Sequence, residues 1–280
     1  MRLKRIQMPI FSVVSTIILL NVATVSSLLC GSKKETSQER LRQQPSDIAQ
    51  SNPNTLQSKN AHIFSNVYDK LVWGDAGGGS GLGSDPGLAK PTVSLLKNIL
   101  MKYNIPSLLD APCGAVHSSW MKDLIGEMSI TETCFVYHGV DVVKSVVDKN
   151  IAAFQEHSKY VKFTELDLSL PETQLPNNYK LILSRDALQH LSYSDIAVAL
   201  RTYCRTNSFY LLIGSYLDNL QNLNVESGDM FKINVRLNPF NFSEPVEVFQ
   251  ESFKKHSGNE KYLLLYNLRD LCKSNKFIAF

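Results

Sequence analysis

Short apolar runs that end in a carboxylate recur along this chain at helix-sized intervals. Ser107–Asp110 closes on an acid and passes at once into Ala111, Pro112, Cys113 and Gly114. Phe135–Asp141 and Val161–Asp167 finish the same way, and Tyr179–Ser184 runs into Arg185 and Asp186. Apolar runs without strict alternation read as strands buried on both faces. The spacers are long enough for crossover helices, so the natural topology is parallel, with all four polar ends at one edge. Ser208–Gly214 reads as a fifth strand after a helix over Asp195–Thr206, and Val246–Gln250 and Lys261–Tyr266 as the last two.

Upstream the pattern changes character. A basic tail over residues 1–7 carries Arg2, Lys4 and Arg5, and the uncharged stretch Met8–Leu29 is long enough to cross a bilayer core of about 30 Å as a helix. It reads as a signal anchor or as a secretory signal peptide, with small residues such as Ser27 that permit cleavage. The remainder would then belong to the secretory pathway, endoplasmic reticulum or Golgi, membrane-bound or, after cleavage, secreted. Residues 30–60 are rich in Ser, Gln, Asn, Lys, Arg and Glu and read as a flexible stem. The domain, 61–280, opens with an amphipathic stretch over His62–Val72 and a glycine-dense loop, Gly74–Gly87, read as a lid or a connector.

Two strands ending in acids and joined by a helix describe the first βαβ unit of a Rossmann-like sheet. Gly114 lets backbone approach a cofactor where a Cβ would intrude. Asp141 can accept both hydroxyls of a ribose, and Asp167 beside Leu168 can hold an adenine amino group and cover the ring. A dinucleotide needs a pyrophosphate cradle of the G-x-G-x-x-G kind, and this turn has Gly114 alone. A cofactor without phosphates, S-adenosylmethionine, fits better than a nicotinamide dinucleotide.

The ordered set Leu108–Gly114, Trp120-Met121, Gly139–Val143, Asp167-Leu168, Ser184–Asp186, His190–Ser192 and Gly228-Asp229 resembles class I S-adenosylmethionine-dependent methyltransferases. More narrowly it resembles a bacterial and animal subgroup with a Leu-Asp-Ala-Pro-Cys-Gly motif, which Trp73-Gly74, Gly79–Ser84 and Asn238–Phe242 match in order. That subgroup usually carries an acid where Ala115 stands. The resemblance implies a Rossmann-like α/β fold with a mostly parallel seven-stranded sheet and an antiparallel edge strand. It also implies an enzyme whose cofactor is held by Asp110, Ala111, Gly114, Asp141, Val142, Asp167, Leu168 and Arg185. The Arg185 guanidinium has two other uses, as a clamp for an anionic acceptor or in an ordinary salt bridge.

Transfer of a methyl group to a hydroxyl needs alignment and a base. Asp186 and His190, four apart after the fourth strand, are the residues expected to act on the acceptor. Ser215–Pro245 is long for a loop without structure of its own, so it reads as an acceptor-binding insert with Asn224, Asp229 and Arg236 as polar candidates. A glycan hydroxyl is the expected acceptor, with a small molecule or lipid as the alternative. A non-catalytic binding protein on the same fold is the reading in another class.

Composition narrows the rest. A chain of 280 residues with formal net charge +3 gives no reason to expect a nucleic-acid partner. Cys30, Cys113, Cys134, Cys204 and Cys272 are too scattered for paired metal-ligand spacing; an oxidising lumen would allow the last four to pair, but no obligatory disulfide framework is expected. Asn241-Phe242-Ser243 is an N-glycosylation acceptor sequence compatible with secretory passage.

Overall fold

A computed structural model describes residues 58–131, 135–251 and 260–278. The expected membrane segment and most of the stem, with Cys30 and Cys134, lie outside the described residues. Among the described residues no helix is long and apolar enough to cross a membrane.

One seven-stranded sheet organises the domain, in the order β3-β2-β1-β4-β5-β7-β6. Its strands are β1 (Ser107–Asp110), β2 (Val136–Asp141), β3 (Val161–Glu165), β4 (Leu181–Ser184), β5 (Tyr210–Ser215), β6 (Glu247–Glu251) and β7 (Lys261–Asn267). The first five run parallel, and β7 lies antiparallel between β5 and β6. The last two strands therefore form the edge as expected, and of the pair it is β7 that is reversed. Asp141 stands in register with Glu165 at the ends of β2 and β3, while Asp110, opposite Gly139, ends β1 two residues short of them along the same edge.

Adjacent side chains of each central strand enter different cores. Leu108 joins Val93, Leu96 and Ile99 of α2 (Lys90–Lys102) and Leu124 and Met128 of α3 (Trp120–Thr131) on one face. Leu109 joins Ile196, Ala199 and Tyr203 of α5 (Tyr193–Cys204) and Leu268 and Leu271 of α6 (Leu268–Ser274) on the other. Both faces being covered is why the strands read as unbroken apolar runs. The amphipathic opening is α1 (Lys59–Asp69), capped by the Ser58 hydroxyl, which accepts from the Ala61 amide at 3.0 Å. The remaining helix, α4 (Lys144–Ala153), connects β2 to β3.

Three expectations are corrected. No helix forms between β3 and β4; residues 166–180 cross in turns and irregular backbone. The insert also lacks helix and strand, yet it is packed: Phe231, Ile233, Val235, Phe240 and Phe242 are buried in the second core. Side-chain amides replace a ladder there, with Asn222 Nδ2 donating to the Asn234 carbonyl at 2.8 Å and the Asn234 amide donating to Asn222 Oδ1 at 2.8 Å. Finally, Cys204 and Cys272 form a disulfide joining α5 to α6, with Cα atoms 5.9 Å apart, while Cys113 is a free thiol. Sequence spacing does not reveal this pair, because only the packing of the last helix brings it together.

Candidate active site

The order of strands reverses between β1 and β4, and there a cavity of about 790 Å³, counting its open mouth, indents the carboxyl edge of the sheet. The β1 turn supplies Pro112, Cys113 and Gly114, and β2 supplies Asp141 and Val142. Leu166, Asp167, Leu168 and Ser169 line it beyond β3, and Arg185, Asp186, His190 and Leu191 beyond β4. Phe64, Tyr68, Trp73, Ser80 and Ser84 close it from α1 and the glycine-dense loop.

Gly114 has φ +63°, and a Cβ there would meet the Ser80 hydroxyl at 2.9 Å, so the turn requires glycine twice over. Asp141 organises it: one carboxylate oxygen accepts from the Gly114 amide at 2.9 Å and the other from the Val143 amide at 3.0 Å. The Val142 amide adds a third backbone donor, and a carboxylate with about four acceptor sites keeps capacity for a further bond. Burial pushes the Asp141 carboxyl up, opposed by these backbone donors. Asp167 Oδ1 accepts from the Ser169 amide at 2.8 Å and the Ser169 hydroxyl at 2.6 Å, and Ser58 donates to Oδ2.

Asp110 and Ala111, both expected at the cofactor, stand behind the turn instead of lining the cavity. Asp110 accepts from the Tyr137 hydroxyl at 2.7 Å, and burial pushes its carboxyl up to about 7. The Ala111 carbonyl accepts from the Tyr203 hydroxyl at 2.7 Å, tying β1 to α5. Asn150 of α4 is a residue the sequence did not mark. Fully buried, it accepts from the His117 amide at 3.0 Å and donates to the Gly114 carbonyl at 2.9 Å, which pins the turn from behind.

The glycine-dense loop folds over the turn. Ser80 Oγ accepts from the Ala115 amide at 3.0 Å and bonds the Tyr68 hydroxyl at 2.8 Å. Farther along, Arg185 Nη1 donates to the Gly83 carbonyl at 3.0 Å.

Asp186 and His190 both reach the cavity in different states. Asp186 adopts φ +53° and lies against Lys261 and Arg185, the latter at 3.1 Å. Burial opposes its ionisation, but the two cations outweigh that and hold the carboxyl down at about 2. His190 sits in a single 3₁₀ turn, Leu188–His190, which Asp186 precedes. Its ring stacks on Trp73 at 4.3 Å, and Nδ1 lies 3.0 Å from the Asp229 carbonyl. A carbonyl only accepts, so Nδ1 carries the proton and Nε2 is the basic nitrogen. Burial lowers the imidazole pKa, which keeps the ring neutral near neutral pH.

Arg185 is not open to an anionic acceptor: its guanidinium is paired with Glu251 at 2.6 Å and with Asp186. Asp229 enters the site through its carbonyl alone. Asn224 accepts from the Tyr193 amide at 2.8 Å and Arg236 pairs with Glu244, so neither lines the cavity.

The donor set suits a phosphate-free, positively charged adenosyl cofactor. Asp186 and Arg185 are charge-balanced by Lys261 and Glu251, while Asp141 and Asp167 face the cavity held by amide and hydroxyl donors, an arrangement that disfavours a pyrophosphate and favours a sulfonium.

No protein-family description matches the chain, and no curated protein matches it. Solved structures do. The [4+2]-cyclase SpnF aligns over 74% of this chain and 96% of its own, at 12% identity and a TM-score of 0.51. The methyltransferase domain of bacterial CtHen1 covers 64% of this chain and 98% of its own, at 14% identity and a TM-score of 0.47. The N-methyltransferase NodS from Bradyrhizobium japonicum covers 66% and 98%, at 14% identity and a TM-score of 0.46. At 12% identity the likeness to SpnF supports the Rossmann-like α/β fold alone, and the reaction has to be argued from the site.

Proposed function

We propose that the protein is an S-adenosylmethionine-dependent methyltransferase acting on a hydroxyl. The observation that carries this is the convergence of Asp141, Asp167 and the Gly114 turn with a neutral His190 on one cavity where the strand order reverses. Asp141 would hold the ribose hydroxyls, Asp167 and Leu168 would receive the adenine, and Val142 would cover its face. S-adenosylmethionine, when bound, supplies an electrophilic methyl group. His190 Nε2 takes the acceptor's proton, Asp229 fixes the tautomer, Trp73 orients the ring, and the Asp186 carboxylate stabilises the imidazolium. Structures of magnesium protoporphyrin IX methyltransferase from Synechocystis carry S-adenosylmethionine and its homocysteine product, and we extend that cofactor to this chain.

Calorimetry on the full chain tests the reading: S-adenosylhomocysteine is expected to bind, and no heat at millimolar ligand sinks it.

The same proposal places the domain in the secretory lumen, tethered by Met8–Leu29, with a glycan as acceptor. The Cys204–Cys272 bond supports an oxidising compartment, and the aromatic wall of Phe64, Tyr68 and Trp73 suits the faces of sugar rings. Asn241 is exposed, so expression in animal cells is expected to give a band that shifts with N-glycosidase; a wild-type band identical to that of Asn241→Gln argues for the opposite orientation. A lipid-like acceptor is the second reading, favoured by exposed Leu71, Val72 and Met230 beside Trp73 and Asp229. Radiolabelled methyl appearing in an organic extract rather than in soluble saccharide decides for it.

A further inference from the structure

Glu251 ends β6 and Lys261 begins β7, and both are buried although each is charged. Glu251 Oε1 accepts from Arg185 Nε at 2.7 Å and from the Thr92 hydroxyl at 2.7 Å, and it lies in ion-pair contact with Arg185 Nη2 at 2.6 Å. Its Oε2 lies 3.1 Å from Lys261 Nζ, and Lys261 also donates to the Asp186 carboxylate. Arg185 Nη1 is 3.1 Å from that carboxylate, which closes a ring of two cations and two anions. The formal charges cancel, and a buried ring of this kind collapses if one member is removed, because an unpaired charge is left behind.

The ring bears directly on the loop above it. Arg185 donates to the Gly83 carbonyl, and a Cβ on Gly83 would fall 2.6 Å from Asp186 Oδ2. A guanidinium is a rigid planar fork, so gripping its Nε and Nη2 fixes where Nη1 points. Glu251 supplies that grip, and Lys261 keeps Asp186 from drawing the fork away. Arg185 also lies over the Trp120 indole, 5.0 Å from the ring centroid, which makes Trp120 a reporter of the fork.

We propose that Glu251 and Lys261 are positioning residues of the cavity: acting through Arg185 and Asp186, they hold the loop over residues 76–84 closed on the cofactor side. The proposal depends on the cofactor reading above only for the ligand used in one arm of its test.

The test compares the full-length wild type with Lys261→Met, Glu251→Gln and Lys261→Arg. Hydrogen exchange in residues 76–84 is expected to be at least about 10-fold faster in the first two variants, with β1 and β4 unchanged, and within about threefold of wild type in Lys261→Arg. In a Trp73→Phe background Trp120 is the only indole left of the chain's two, and its emission is expected to shift in Lys261→Met and Glu251→Gln. Dissociation of S-adenosylhomocysteine from the two should quicken about 10-fold. A wild type that does not bind S-adenosylhomocysteine removes the cofactor reading, while exchange and emission still decide the positioning role. Wild-type exchange and emission in folded Lys261→Met and Glu251→Gln overturn the proposal, and so does faster exchange spread evenly through the sheet. If both variants fail to fold, Thr92→Val, which removes one hydroxyl bond from Glu251, carries the same readout, and unchanged loop exchange there overturns it.

Discussion

On the cofactor side of the cavity, Asp141 finds its partners at Val143, two residues on, and at Gly114, 27 residues back. On the opposite side, Asp186 is met by Lys261 from 75 residues away, and Arg185 by Glu251 from 66 and by Gly83 from 102. The first carboxylate is held by backbone amides of one βαβ unit. The second is held by charged side chains that meet only after the reversed strand β7 has inserted between β5 and β6. Amide donors cannot be lost by mutating their own side chains, whereas an ion-pair ring can be broken at any member. The hold on Asp141 is thus locally determined, whereas the hold on Asp186, and through Arg185 on the loop over residues 76–84, depends on the sheet being complete.

The most direct attack on this contrast removes chemistry from one half alone. His190→Ala is expected to lower methyl transfer by roughly 10²–10⁴-fold with S-adenosylhomocysteine affinity unchanged. With the histidine present, the rate should hold as pH falls to the ordinary imidazole range and fail only below it, because burial lowers the pKa and the base works unprotonated. A rate profile whose acid limb lies above pH 7, measured with any acceptor found, would contradict that assignment. Asp141→Ala addresses the other half. Two charge-assisted acceptor positions worth about 1.5–3 kcal/mol each are lost, so affinity for S-adenosylhomocysteine should fall at least about 10²-fold. Because Asp141 also holds the Gly114 and Val143 amides, this variant should melt earlier as well, and calorimetry with thermal unfolding reads both effects.

Smaller effects sharpen the contrast in stability. Reducing the Cys204–Cys272 bond, or Cys272→Ser, closes off a constraint spanning 68 residues and should cost about 2–4 kcal/mol in denaturant unfolding. Cofactor affinity should be untouched, since α6 lies far from the strand ends that make the cofactor side. Asp110 supplies a pH test. Its folded pKa, about 7, is raised above the usual 3.8, so its contribution is full below about pH 4 and is lost as pH climbs through 7. Asp110→Asn should remove that decline and raise the melting temperature at pH 8 relative to wild type; equal pH slopes for the two proteins would refute the burial argument.

The same contrast explains what could be read in advance. Asp110, Asp141 and Asp167 mark strand ends because an acid after an apolar run is a local pattern, and the resulting βαβ order is local too. Asn150, Ser80 and Tyr68 escaped notice because an amide on a helix or a hydroxyl in a loop acquires meaning only from the turn it meets. Lys261 carried a faint signal, a charge at the start of an otherwise largely apolar strand, but the sequence does not say that it meets Glu251 and the residues that follow β4. Asp110 was legible as a position, and the strand places it behind the turn, where it accepts from the Tyr137 hydroxyl. The irregular β3–β4 crossover and the ordered insert lay beyond pattern reading, since the first is held by Asp167 and the Arg205 guanidinium and the second by side-chain amides and buried aromatics, rather than by a period.

Ser58 caps α1 and donates to Asp167, and Asn60, two residues later, lines the cavity. The point where the polypeptide enters this domain is therefore a wall of the cofactor site. Trimming to residue 61 would leave every strand of the sheet intact and unbutton the adenine end, so that such a fragment would fold, look sound by circular dichroism and bind its cofactor poorly.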